Sequence, residues 1–267
     1  MSARGRFRLA SAESVGYLLS FAGMTPKEIL LSLFDDQVTP WLEAKGFRFL
    51  RSQFSYKRKS NAFTQVISVS LNPRNSALLM VFDSTFSVWS PFYNKWLRRQ
   101  ERPISSGCLR GCAHWNVPGW QRSATDWSGA EGIDIDFTDP VARYAVIDQW
   151  KNKCEQAGLP FLERLSSWEG AAEDLLSSGE HYDQAADFFL IGGNTGRAIE
   201  ALEKGIQFLQ KQDFSWSEKA HPILVEKRKR ETAGRDAEVA LYEQRIKILK
   251  NSQPSEEANR LGDERQG

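Results

Sequence analysis

Apolar side chains recur at helical spacing from Ile29 to Leu42 and then switch to alternation. Ile29, Leu30, Leu33, Phe34, Val38, Trp41 and Leu42 form one stripe of a helix expected over Pro26 to Lys45. Thr25 is placed as its N-cap, with Pro26 first and Glu28 three residues on. Pro40 inside this stripe should kink or divide the helix, and Gly46 should end it. Phe47 to Lys59 then alternates imperfectly around Phe47, Phe49, Phe54 and Tyr56, and Ser60-Asn61 reads as a turn. Phe63 to Leu71 alternates through Ile67 and Val69, and Asn72-Pro73-Arg74-Asn75 is a second turn. Leu78, Met80, Phe82, Phe86 and Val88 continue a third strand, with a break expected near Asp83-Ser84. Strands that follow one another without an intervening helix pair antiparallel. The pattern predicts a helix-backed meander whose second face can be presented to a partner.

Ser90 to Ser128 is irregular, with Pro91, Pro103 and Pro118 among Trp96, Trp115, Trp120 and Trp127. A long Trp-anchored loop is expected there. Ile133, Ile135 and Phe137 alternate with Asp134 and Asp136, which predicts a short strand rejoining the sheet. Thr138 or Asp139 caps a helix from Pro140, with Tyr144, Ile147, Trp150 and Cys154 near one face. Gly158-Leu159-Pro160 is expected to stop it, and a second helical run covers about Phe161 to Ser177. His181 to Ile191 and Thr195 to Lys211 form a helical hairpin broken at Gly192-Gly193-Asn194, with Ala198, Ile199, Leu202, Ile206 and Leu209 inward. One such tetratricopeptide-like pair is a cap on a domain rather than a solenoid. Glu218 to Lys250 is a charged helix or two, with Gly234 a weak point. The expected fold class is α+β: an antiparallel sheet of about four or five strands, an N-terminal helix and a C-terminal helical subdomain. The expected divisions are an arm over 1–23, the α+β domain over 24–178, the helical subdomain over 179–250 and a tail over 251–267.

Composition narrows the classes. Apolar residues make up 41% and aromatics 12%, ample for a packed core. The 35 basic residues nearly cancel the 34 acidic ones, so nucleic acid could be met only through a local patch. Three cysteines are an odd count and argue for a reducing cytoplasm over a disulfide scaffold. No run of about 18 apolar residues exists, so no membrane span is expected. Arg4, Arg6 and Arg8 before Val15 to Gly23 imitate a signal peptide, but Glu13 interrupts the approach. A loosely ordered arm, or an extension ahead of a start at Met24, is the competing reading.

Candidate chemistry is thin. Cys108, Cys112 and His114 offer thiolates and an imidazole, but zinc needs a fourth ligand that is not obvious; a Cys108–Cys112 disulfide is the alternative on export. Cys112 and His114 stand too close along the chain for the usual nucleophile and base. Gly192 to Gly196 follows a helix rather than a strand, so it reads as a helix–helix turn and not a phosphate loop. Asp134, Asp136 and Asp139 could hold a metal, plug a basic groove, or form the wet face of an edge strand. Arg48, Arg51, Lys57, Arg58 and Lys59 make a basic strand interleaved with aromatics, as on single-strand nucleic-acid platforms; core aromatics beneath a basic face is the other reading. No set of residues forms a complete catalytic machine, and neither enzyme nor cofactor is expected.

Leu42-Glu43-Ala44-Lys45-Gly46-Phe47, then Phe54-Ser55-Tyr56-Lys57-Arg58, then Gln65-Val66-Ile67-Ser68-Val69, resembles a bacterial domain family of unknown function that recurs in polymorphic-toxin immunity loci. The resemblance spans Met24 to Ser178. It implies a small α+β protein without a shared catalytic motif that binds and blocks a cognate toxin. On that expectation the contact residues are Trp89, Tyr93, Trp96, Trp115, Trp120 and Trp127, with Asp134, Asp136, Arg48 and Arg58 supplying charge. The alternatives are an adaptor docking through the helical hairpin, and a nucleic-acid binder using the basic strand 47–60.

Overall fold

The structure, a computed structural model, describes residues 24–72, 75–76, 79–103, 108–113, 116–120, 133–136, 139–179, 181–211 and 222–252. Side chains at 112, 113, 134, 140, 222–226 and 228 fall outside that description. The chain forms two compact units, Met1–Ser166 and Ser167–Gly267. The boundary falls before the helix Trp168–Ser178 rather than after it, because that helix packs on the hairpin that follows.

In the first unit, Thr25 caps α1 (Pro26–Gln37) with the expected reciprocal box. Its hydroxyl accepts from the Glu28 amide at 3.3 Å, and the Glu28 carboxylate accepts from the Thr25 amide at 2.7 Å. The stripe divides at Val38, and α2 (Thr39–Glu43) carries Pro40 in its first turn, where a missing N–H is harmless. Gly46 at φ +83° ends the helical segment.

The single strand expected over Phe47 to Lys59 is instead a hairpin. β1 (Arg48–Leu50) and β2 (Ser55–Ser60) pair antiparallel around a 3₁₀ turn at Arg51–Gln53. Phe54 makes the corner at φ 45°, a left-handed conformation unfavourable for a side chain of its size. Its ring is buried edge-on against Phe34 at 5.2 Å, which holds it there. β3 (Phe63–Leu71) and β4 (Leu79–Trp89) continue the meander. β4 runs unbroken through Asp83 and Ser84, contrary to the expected interruption. Ser84 is tolerated on the core face because its hydroxyl accepts from the Trp150 indole at 3.1 Å.

Part of the expected Ser90–Ser128 loop is regular. α3 (Pro91–Arg99) begins at a proline suited to a first helical turn and closes on Arg98 and Arg99, favourable at a helix C-terminus. β5 (Cys108–Ala113) and β6 (Ile133–Asp136) then complete a six-stranded antiparallel sheet in the order β1-β2-β3-β4-β5, with β6 also on β4. The outer edge of β4 is shared: β6 pairs with Leu79 to Phe82, and β5 with Thr85 to Trp89.

Asp139 caps α4 (Pro140–Lys153) as expected, accepting from the Val141 and Ala142 amides at 3.0 and 3.1 Å. Gly158 does not stop this helix. The chain passes through a π turn at Cys154–Gly158 and continues as α5 (Leu159–Leu165). The glycine is needed for approach: a Cβ there would lie 2.4 Å from the Phe86 ring. The core lies between these helices and one face of the sheet. Phe34 meets Phe82 at 5.4 Å and Trp150 at 5.8 Å.

The second unit is helical: α6 (Trp168–Ser178), α7 (Tyr182–Ile191), α8 (Thr195–Lys211) and α9 (Pro222–Ser252). The α7–α8 hairpin breaks at Gly192 to Asn194 as expected. Ala198, Ile199, Leu202 and Leu209 point inward. α9 runs straight through Gly234 and packs on α8 through Tyr242, whose ring fills the space a side chain at Gly205 would take, 2.6 Å from its Cβ position. Arg245 of α9 pairs with fully buried Asp187 of α7 at 2.7 Å.

Candidate functional site

Register sorts the basic strand onto two faces. Alternate residues of a strand point opposite ways, and directly paired residues share a face. Tyr56 pairs with Ile67 and Arg58 with Gln65, on the face that meets the helices. Lys57 pairs with Val66 and Lys59 with Thr64, on the opposite face. Arg48 pairs with Lys57 and joins them. The aromatics of this segment (Phe54 and Tyr56, with Phe49 stacked on Tyr56 at 4.7 Å) therefore serve packing, while three of its cations face away from the core.

Arg58 has a structural task on the helical face. Its guanidinium lies 4.5 Å from the Phe47 ring centroid, donates to the Lys45 carbonyl at 2.9 Å and to Gln65 Oε1 at 2.7 Å, and pairs with Glu163. Gln65, fully buried, donates in turn to the Ser166 hydroxyl at 2.8 Å. Gly46 lies directly under the Arg58 stem, its Cβ position 3.4 Å from Arg58 Cδ. The Gly-Phe pair, the basic strand and the Gln-opened strand, the residues behind the immunity-locus resemblance, thus converge on one fastening that ties the helix end, two strands and α5.

Among the described residues of the first unit, no helix or strand packs over the opposite face along β2, β3 and the end of β4, which leaves it open there. A hollow of about 420 Å³ lies there, floored by Ser55, Thr64, Val66, Ser68 and Ser87, with Gln53, Lys57 and Trp89 around it. Trp89 is 37% exposed and its indole donates to the Ser87 hydroxyl at 2.9 Å, which fixes the ring. Lys57 donates to Gln53 at 2.9 Å. Ser55 is 2% exposed, and its hydroxyl has no hydrogen-bond partner among the described residues. A second hollow of about 230 Å³ adjoins it, sharing Thr64 and bordered by Lys59, Lys95 and Phe92, itself 40% exposed. No described carboxylate lines either hollow.

The other expected contact residues are scattered. Tyr93 and Trp120 are buried, Tyr93 beneath half-exposed Trp96 at 6.3 Å and Trp120 against Phe86 at 5.7 Å. Their bulk therefore goes to packing. Asp136 pairs with Leu79 and is exposed, well along the sheet from Trp89, and the Asp134 side chain lies outside the described residues. Asp139 is occupied as a helix cap. Trp115, Trp127 and His114 lie outside the described residues. Leu241 and Ile248, one heptad apart on α9, are exposed.

The cysteines do not gather. Cys108 and Cys112 stand four residues apart along β5, their Cα atoms roughly 13 Å apart at the strand rise, beyond a disulfide or a shared tetrahedral ion. Burial raises the Cys108 thiol above its usual pKa, which disfavours the reactive thiolate. Among the described residues no group of His, Cys, Asp and Glu is arranged to hold a metal ion, and no helix is long and apolar enough to cross a membrane. No family model, curated protein or solved structure matches the chain.

Proposed function

We propose that the chain is an immunity protein that acts in the cytoplasm, binding a cognate toxin and covering its active site. The observation that carries this reading is the open sheet face, where Trp89 stands half-exposed and fixed beside a hollow while helices brace the opposite face. A rigid aromatic beside a concave, partly desolvated floor is the composition of an interface anchor. Lys57 and Lys59 beside it, with Arg48 on the same face one strand further out, favour an acidic counterpart. The resemblance supplies the toxin; the face supplies the means of covering it.

The test is co-expression with the product of the adjacent reading frame in a sensitive host. The chain should restore growth, and Trp89→Ala should weaken the purified complex by about 2 kcal/mol or more. Growth indifferent to the chain overturns the reading. The exposed Leu241 and Ile248 on α9 favour a second reading, an adaptor docking through the helical unit. A chain ending at Ser166 separates the two: it keeps its partner if the sheet binds and loses it if α9 does.

A further inference from the structure

We propose that the open sheet face also binds single-stranded nucleic acid, in a groove running from Ser55 past Trp89 to Phe92. This is independent of the immunity reading. The two hollows adjoin at Thr64, which lines both. Lys57, Lys59 and Lys95 border it, and no described carboxylate does. Trp89 and Phe92, 37% and 40% exposed, stand along it at the junction of β4 and α3. Strands without sequence preference are held by this combination: cations that track phosphates and aromatic rings on which bases stack.

The register gives the spacing. Trp89 pairs with Thr64 and Thr64 with Lys59, so the ring and the ammonium originate two strand spacings apart, roughly 10 Å. A base on Trp89 leaves its backbone over the lysines. Ser55 supplies the remaining sign of a ligand: a hydroxyl 2% exposed on the floor, with no partner among the described residues. A buried hydroxyl left unmade is unfavourable, and a base edge or sugar hydroxyl reaching the floor would satisfy it. A strand engages the lysines and both exposed rings at once, which a short acidic peptide without aromatic side chains does not. The sequence suggested such a platform on strand 47–60; the geometry keeps its lysines and takes the aromatics from β4 and α3 instead.

The experiment is fluorescence anisotropy of labelled oligo(dT), about ten nucleotides long, titrated with the full chain at several salt concentrations. Binding should weaken with salt at a log–log slope of about −2, from three phosphate contacts at roughly 0.7 each. Trp89→Ala should weaken it roughly 5- to 150-fold, with Trp89→Phe retaining most of the affinity. Lys59→Ala, a change at an exposed position that spares the fold, should reduce the slope by about 0.7. A duplex of equal length and a poly-glutamate peptide are the comparison probes, and both should bind more weakly. No binding of oligo(dT), equal binding of poly-glutamate, or indifference to Trp89→Ala each overturns the proposal. None of these outcomes bears on growth protection, so the two readings fail separately.

Discussion

Tyr56 is fully buried, and its hydroxyl shares a 2.9 Å hydrogen bond with Thr39. Burial raises its pKa well above the ordinary 10.0, with the Thr39 bond opposing in part. Below that ordinary value the phenol is neutral in both states and the folded form is unpenalised. Above it the unfolded chain gives up the proton and the folded chain resists, so stability falls as pH rises. Tyr56→Phe should lose about 1 kcal/mol near neutrality through the missing bond. It should also flatten the alkaline decline, read from urea midpoints between pH 8 and 11. An equally steep decline in the variant would place the titrating group elsewhere. The same residue shows what the sequence hid. Phe49 and Tyr56 share a face although one number is odd and the other even, because the turn at Phe54 shifts the parity. The imperfect alternation from Phe47 to Lys59 was the trace of that hairpin, but a left-handed phenylalanine leaves no local signature. Its stability comes from Phe34, distant in the chain.

Among the elements, the π turn at Cys154–Gly158 is the clearest case of tertiary demand overriding local punctuation. Gly-Leu-Pro reads as a helix stop from its neighbours alone. In the fold the glycine admits the Phe86 ring, and proline at 160 falls in the first turn of α5, where it is accepted. Gly158→Ala should destabilise the first unit by about 1–3 kcal/mol through overpacking, despite the better helix propensity of alanine. Phe86→Leu placed on that background should recover part of the loss, measured as a non-additive double-mutant cycle. Strict additivity would mean the two do not meet. Elements set by their own residues were legible: the Thr25 box, the Asp139 cap and the Gly192–Asn194 break. α3 was missed because Ser-Pro and three aromatics resemble a loop until Arg98 and Arg99 are credited as a helix end.

For the whole molecule, two cores imply two cooperative transitions. Gly205→Ala tests this, since the added methyl would sit 2.6 Å from the Tyr242 ring and 2.9 Å from Tyr182. Calorimetry should show the helical unit's transition moved down by several degrees and the sheet unit's unmoved. A joint shift would mean that the chain unfolds as one body. The α+β class and the antiparallel meander followed from alternation and short loops alone. The division at Ser166–Ser167 did not, because two helical runs meet there across a two-serine step with no glycine or proline to mark it. The open face was anticipated as a possibility of antiparallel sheets, but its membership was not. Trp89, Ser55 and Lys57 are brought together by register, which only the paired strands define.

The fastening around Arg58 has a consequence for kinship. Its members secure the scaffold from the helical side of the sheet, so they can stay fixed while the exposed surface changes. Chains chosen for a matching glycine, phenylalanine, arginine and glutamine would be siblings in architecture and strangers in appetite. Divergence of quarry, in such a lineage, would be written on the far side of the sheet.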